Sequence, residues 1–468
     1  MEYIFVTLYV LIAAVTSAHA LLTKSDVRAA LAWIAVAWLS PFLGAFLYFA
    51  FGINRVTRRA LHLARHDHRG IDGTGPDAQP DMAENVRALA AVGQRVTGSS
   101  LIAGNAVSVY QGGDEAYPVM LEAIRTARRS VALASYIFWN DEIGRAFVEA
   151  LTDAHRRGVA VRVLIDSIGG GYFWSGAAKA LQANGVPTAL FLHTWLPWRM
   201  PFLNMRNHKK LLIVDGKTAF TGGLNISAKH SLRLARSKKT YVDGVQVRVE
   251  GPVAGQFLNT FAEDWSFTTG ELLEGEAWWP PIPSAGPVLA RGIHSGPDAD
   301  MYKLETILGA ALAQARKRVR IVTPYFLPDQ RLQFALAQAG LRGVKVEILI
   351  PEHCDYAFMD WAMRAHLRFF DKVPATVYFT RAPFNHAKLM TVDEQWCLIG
   401  SSNWDTRSLR LNFEFDLECY DHDLTAEIDA VIESKIAQSR QVDLGRLSDA
   451  PAAVRLRDAA FRLLQPYL

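Results

Sequence analysis

Two long apolar stretches open the chain, and the remainder alternates between short apolar runs and amphipathic segments. Tyr3–Leu22 and Ala29–Ile53 contain no aspartate, glutamate, lysine or arginine. Each is long enough to cross the ~30 Å hydrocarbon layer of a membrane as a helix, with Pro41 the one interruption of the second. The polar link "TKSDVR" (Thr23–Arg28) is short. The pattern therefore predicts a transmembrane hairpin over residues 1–53, with spans at about 3–22 and 29–53. "AHA" (Ala18–Ala20) resembles a signal-cleavage site. Against cleavage stand Glu2, the lack of an N-terminal basic residue, and the second apolar stretch. The link carries Lys24 and Arg28, whereas Arg55, Arg58, Arg59, Arg65 and Arg69 come after the second stretch. The richer side is expected to be cytoplasmic, which puts the C-terminal body there as well.

The body reads as two copies of one pattern. "RTARRSVALASYIFWND" (Arg125–Asp141) and "EALTDAHRRGVAVRVLID" (Glu149–Asp166) predict strand, helix, a Gly turn and a second strand. "AQARKRVRIVTPYFLPD" (Ala313–Asp329) and "ALAQAGLRGVKVEILIP" (Ala335–Pro351) repeat it. Such βαβ units favour sheets covered by helices. The expected layout is a basic juxtamembrane segment and linker at 54–100, a first α/β domain at 101–273, a Pro-rich linker at 274–290 and a second α/β domain at 291–468. The linker readings rest on "GIDGTGPDAQPD" and "EGEAWWPPIPSAGP", whose prolines oppose regular structure.

Composition narrows the chemistry only a little. The formal charge is +4, so bulk charge does not argue for nucleic acid. The three cysteines have no CxxC spacing, and neither a zinc site nor a disulfide framework is expected.

The repeated strand is where the chemistry concentrates. "NHKKLLIVDG" (Asn207–Gly216) returns as "NHAKLMTVDE" (Asn385–Glu394). Side chains alternate faces along a strand, so His208 and Lys210 share a face ~6.6 Å apart, as do His386 and Lys388. Downstream, "GGLN" (Gly222–Asn225) matches "GSSN" (Gly400–Asn403). Gly223 and Ser401 are expected to let backbone N–H groups approach a ligand, and Asn225 and Asn403 to donate to its oxygens. Two histidines, two lysines and two asparagines suit a phosphodiester. One histidine attacks phosphorus, the other protonates the leaving alcohol, and the lysines and amides stabilise the phosphoryl charge. No metal or cofactor is required by this set. Each histidine is expected to lean on a carboxylate that fixes its tautomer, Asp243 in the first half and Glu414 in the second. Asp215 and Asp393 complete the repeated motif, yet they fall at strand ends and on the opposite face, which favours a turn role over proton transfer.

Both motifs fit HxKxxxxD, and with "RNHKKLLIVDGKTAFTGGLNIS", "YIF", "DWSFTTGE", "PYFLPD" and "GSSNWDTRSLRLNFE" the chain resembles the bacterial cardiolipin synthases of the phospholipase D superfamily over nearly its whole length. That resemblance implies two phospholipase D-like α/β domains in one bilobal body. It implies a phosphatidyltransferase of the bacterial inner membrane that acts on phosphatidylglycerol and membrane lipids, without nucleic acid or metal. It also implies a catalytic set of His208, Lys210, Asp215, His386, Lys388 and Asp393, with His208 the nucleophile and His386 the acid and base. Water as acceptor would instead give a hydrolase, and a broken motif a non-catalytic lipid binder; both motifs are intact. Lys209 stands where relatives often have Arg, on the face turned away from the site. "FLHTWLPWRMPFLNMR" (Phe191–Arg206), with Trp195, Trp198 and Phe202, reads as a headgroup-level loop or a cover for the core. The tail Val454–Leu468 reads as a surface helix that lies on a membrane or docks on its own domain.

Overall fold

A computed structural model describes residues 2–24, 27–52, 82–171, 174–193, 205–235, 237, 240–297, 300–463 and 465. Arg55–Arg69, Trp195, Trp198 and Phe202 lie outside these residues. The N-terminal helices and the body are two compact units.

In the N-terminal unit, a helix at Glu2–Thr23 is followed by helices at Val27–Leu39 and Pro41–Leu47 and a π-turn at Tyr48–Gly52. Tyr3–Thr23 is the one helix among the described residues long and apolar enough to cross a membrane. The second apolar stretch is not one helix. Pro41 has no N–H to continue the ladder, and the chain restarts with Ser40 as N-cap. Tyr9 Oη donates to Trp38 O at 2.6 Å, and Trp38 Nε1 to Ser17 Oγ at 3.1 Å, so the two stretches pair.

In the body, short apolar runs become strands because most are covered on both faces. The first half supplies β1 (Ile102–Gln111), β2 (Ser130–Ser135), β3 (Ala160–Asp166), β4 (Thr188–Phe191), β5 (Leu211–Val214), β6 (Thr218–Gly222) and β7 (Val245–Glu250). The second supplies β8 (Val288–Ser295), β9 (Arg318–Val322), β10 (Lys345–Pro351), β11 (Ala375–Thr380), β12 (Leu389–Val392), β13 (Trp396–Gly400), β14 (Glu414–Tyr420) and β15 (Ser439–Gln441). All belong to one sheet, ordered β15-β11-β10-β9-β12-β13-β14-β8-β1-β7-β6-β5-β2-β3-β4. Read outward from the centre, the two sides match strand for strand from β1 to β4 and from β8 to β11. The halves meet where β1 runs antiparallel to β8, with Ile102 opposite Ala290 and Asn105 opposite Val288.

One apolar core crosses that seam. Phe257, Phe261 and Trp265 from helix Ala254–Thr269 join Leu424, Ile428 and Ile432 from helix His422–Ala437 in a single cluster. Segment 84–97, expected as linker, is a helix, and its Val86, Leu89 and Ala90 pack with Leu304, Ile307 and Leu308 of the second half. Gly93 lies against the buried Arg291–Glu418 pair there, leaving no room for a Cβ. In the Pro-rich stretch, Trp278 is buried and Trp279 Nε1 donates to Leu273 O at 2.7 Å. The tail helix Ala452–Arg462 docks on its own domain: Asp458 is buried and takes Arg368 at 2.6 Å, and Phe461 packs on Trp361.

Candidate active site

The repeated motifs enter the sheet as β5 and β12, side by side with the hairpin strands β6 and β13. Their leading residues are extended and are held by the opposite half. The His208 N–H donates to Phe413 O at 2.9 Å, and the His386 N–H donates to Asp243 O at 2.7 Å. Asn207 bridges Phe413 in the same way that Asn385 pairs with Asp243. Each histidine is therefore seated by a strand from the other half, and this brings the two motifs to one site.

His208 and His386 are both buried and each has a matching backbone partner, Ser401 and Gly223, but only His208 also has a carboxylate. His208 Nδ1 lies 2.9 and 3.0 Å from the two oxygens of Glu414. That carboxylate also accepts Ser401 Oγ at 2.6 Å and Asn412 Nδ2 at 3.1 Å. Donation from Nδ1 to Glu414 leaves the Nε2 lone pair of His208 for a ligand. His386 Nδ1 lies 2.8 Å from Gly223 O. A carbonyl only accepts, so His386 carries its proton on Nδ1 and keeps Nε2 for proton exchange.

Lys210 Nζ donates to His208 O at 2.6 Å and Lys388 Nζ to His386 O at 2.7 Å. Among the described residues neither ammonium forms an ion pair. Burial pushes Lys210 down to about 7 and Lys388 well below the usual lysine range. Burial, followed by Lys210 and then Lys388, holds His208 well below 6.5; burial, Lys388 and Lys210 do the same to His386. The Oδ1 atoms of Asn225 and Asn403 are buried without a partner. Two buried ammonium groups with no ion-pair partner among the described residues form a receptor for an anion, since such charges are costly to leave unmatched.

Several expected roles move. Asp243 does not orient a histidine with its carboxylate, which pairs with Lys435. Gly244, not Asp243, occupies the place of Glu414, because Asp243 matches Phe413 in the backbone pairing above. Glu414 serves His208 across the halves rather than His386. Gly223 and Ser401 do not offer their N–H groups to a ligand. Those donate to Val245 O and Phe415 O, and the residues position His386 and Glu414 instead. Asp215 and Asp393, part of the signature's catalytic set, lie at the far ends of β5 and β12. Asp215 accepts the N–H groups of Arg128, Arg129 and Ser130, and Asp393 those of Arg316, Lys317 and Arg318. Lys209 does turn away, into a buried pair with Asp264 at 2.8 Å.

Three neighbours of the site are not foreseen by the sequence reading. The Tyr136 ring stands 4.8 Å from that of His208. His230 donates from Nδ1 to Val242 O at 3.0 Å and accepts the Asn225 N–H on Nε2 at 3.3 Å, fixing that asparagine's backbone. Asp166 accepts the Asn207 N–H at 2.8 Å and the Ile168 and Gly169 N–H groups at 2.9 Å, and burial pushes it up to about 6. Only Tyr136 had a sequence signal, through "YIF".

A family model described as cardiolipin synthase, phospholipase D-like domain, matches residues 120–265 and 308–436. A second, described as phospholipase D-nuclease N-terminal, matches residues 5–52. The chain is 30% identical over 461 residues to the major cardiolipin synthase ClsA of Bacillus subtilis, covering 95% of each. It is 29% identical over 460 residues to cardiolipin synthase 1 of Bacillus anthracis, covering 94% of this chain and 89% of that one. Among solved structures, the phosphatidylserine synthase of Haemophilus influenzae superposes with a TM-score of 0.60 at 16% identity, covering 81% of this chain and 100% of that one. This likeness concerns the fold.

Proposed function

Since the chain belongs to the cardiolipin synthase, phospholipase D-like family, we propose that it joins two phosphatidylglycerol molecules into cardiolipin and releases glycerol. In this reading, neutral His208 attacks the phosphorus of the first lipid with Nε2. The P–O bond to glycerol breaks, and the leaving oxygen takes a proton from Nε2 of His386. The terminal hydroxyl of the second lipid then gives its proton to His386 and forms a new P–O bond. The P–N bond breaks, and its electron pair returns to His208. Lys210, Lys388, Asn225 and Asn403 hold the phosphoryl oxygens as charge develops on them. A bound phosphodiester brings the negative charge that lets His386 hold a second proton despite the lysines.

The observation that carries this reading is the unequal pair of histidines, His208 held on a carboxylate and His386 on a carbonyl, over two buried lysines. The test is turnover in phosphatidylglycerol vesicles with EDTA present, read by mass spectrometry. Cardiolipin with free glycerol is expected. Phosphatidic acid alone would make the protein a hydrolase, and full activity in His208→Ala would sink the mechanism.

The reading also puts the protein on a bacterial inner membrane, held by its two N-terminal apolar stretches with the body on the cytoplasmic side. Its support is the apolar helix Tyr3–Thr23 and the arginine excess after the second stretch. Cysteines introduced in residues 24–28 should react with impermeant reagents from the periplasm; labelling only from the cytoplasm would reverse the topology.

A further inference from the structure

Among the described residues, the body exposes two tryptophans, and both leave the sheet at the edge that carries the histidines. β2 and β3 are parallel, and β5 runs antiparallel to β2 with Ala134 opposite Leu211. The C-terminal ends of β2 and β3 therefore lie on the side from which His208 enters. Trp139 follows β2 and is 45% exposed; Trp174 follows β3 and is 74% exposed. The other described tryptophans of the body are buried or half-buried. Leu232, after β6, and Tyr356, after β10, add exposed apolar surface on segments that leave the same edge.

Each of these tryptophans carries an ammonium group on its ring. Lys229 Nζ lies 4.7 Å from the centre of the Trp139 ring, and Lys179 Nζ 2.9 Å from that of Trp174. Both lysines are exposed, and neither forms an ion pair among the described residues. Asp141 lies alongside but is committed to the Gly144 and Ala228 N–H groups at 3.0 and 2.7 Å and to Ser227 Oγ at 3.1 Å. The Lys229 charge also bears on Asp355. An exposed indole with a cation on its face matches the headgroup layer of an anionic bilayer. The ring suits the boundary between apolar and polar layers, and the ammonium suits the lipid phosphates.

The two rings line one open groove of about 530 Å³, together with Gly169, Gly170 and Gly171. Gly169 backs onto the site. A Cβ there would collide with the carbonyl and the ring of Tyr136, and that ring stands 4.8 Å from the ring of His208. Asp166 ties the two places together, since it takes the Gly169 N–H at 2.9 Å and the Asn207 N–H at 2.8 Å. The exposed face and the nucleophile are thus built on one another. We propose that this edge of the body docks on the headgroup layer of an anionic bilayer through Trp139, Trp174, Lys179 and Lys229, which holds the groove and His208 against the membrane surface. The docking rests on the reading above only for its lipid substrate, since a hydrolase of bilayer lipid would use the same face.

The test gives the full chain one substrate from two sources. In vesicles of phosphatidylglycerol diluted with phosphatidylcholine, the substrate comes from the bilayer. In phosphatidylcholine vesicles supplied with dihexanoyl phosphatidylglycerol below its micelle threshold, it comes from solution. At a limiting share of phosphatidylglycerol, Trp139→Ala and Trp174→Ala should each lower the bilayer rate about tenfold. Lys179→Gln and Lys229→Gln should each lower it about fivefold, the loss of one charge near an anionic surface. The rate on the soluble substrate should stay near that of wild type in all four, which also shows that they fold. Trp139→Phe and Trp174→Phe should recover part of the bilayer rate. Brominated phosphatidylglycerol should quench both tryptophans, read as the difference in emission between wild type and each Phe variant. Equal losses on the two substrates would assign the rings to substrate binding and overturn the docking, as would an unchanged bilayer rate or a lack of quenching. An altered oligomeric state in the double alanine variant, with the bilayer rate unchanged, would give the face to a second copy instead. A wild-type protein that yields only phosphatidic acid from both sources would overturn the transferase reading alone, because phosphatidic acid then reports the same comparison.

Discussion

His208 and His386 occupy matching positions but lean on different groups, and the difference comes from Glu414 standing where the other half has Gly244. A carboxylate on Nδ1 both fixes the tautomer and stabilises the positive charge that grows on an attacking imidazole; a carbonyl does the first and less of the second. Glu414→Gln should therefore lower kcat by about two to four orders of magnitude, with a smaller change in KM. Asp243→Asn should stay within a few-fold of wild type, because the Asp243 carboxylate holds Lys435 and only its main chain touches His386. Steady-state kinetics on both variants decides between them, and a larger loss in Asp243→Asn would reverse the assignment. Burial pushes Glu414 up to about 7. The wild-type rate should climb as the pH approaches that region and the carboxylate ionises, and fall above it as Lys210, pushed down to about the same value, loses its charge. In Glu414→Gln that climb should vanish, which a merely structural glutamate would not produce.

At the scale of elements, the hairpins after β5 and β12 show what the motif's last residue does. Asp215 and Asp393 have φ values of 53° and 54°, a left-handed conformation that aspartate tolerates and the tight three-residue connection requires. Each carboxylate then ties the turn to the start of β2 or β9 through three N–H groups. The histidine lies up to ~23 Å away along an extended chain. Asp215→Asn or Asp393→Asn should cost about 1–3 kcal/mol of stability, a fall of several degrees in Tm, while activity per folded molecule persists. A calorimetric Tm equal to wild type with lost activity would return these residues to the chemistry. The paired strands, the βαβ units and the HxK face were legible in the sequence because each is set by local period and turn chemistry. The carboxylate assignment was not, since it depends on register between distant strands. A signal did exist: Val245, Val247 and Val249 align with Phe415, Leu417 and Cys419 as buried alternating positions. That alignment sets Gly244 against Glu414. The packing of Tyr136 on His208 had only "YIF" as a signal, because the contact exists only once the segment after β2 and the first motif fold together.

For the whole body, the consequence of the seam is that neither half contains a complete site. The sheet runs unbroken through β1 and β8, one core crosses it, and each histidine takes its backbone partner from the other half. Both halves belong to one chain, so a single molecule assembles the whole constellation. A mixture of His208→Ala and His386→Ala proteins should then remain inactive, since each carries one defective histidine in its only site. Exchange of halves between molecules would have to open the β1–β8 pairing and expose the apolar cluster of Phe257, Phe261, Leu424 and Ile428 to water. At about 25 cal/mol per Å² of apolar surface, or roughly 1.5–3 kcal/mol for each large apolar side chain, that opening is costly enough to be rare. Cardiolipin formation measured in the co-reconstituted mixture checks this. Activity near one quarter of wild type, the share expected for random re-pairing of halves, would show that the site forms between chains.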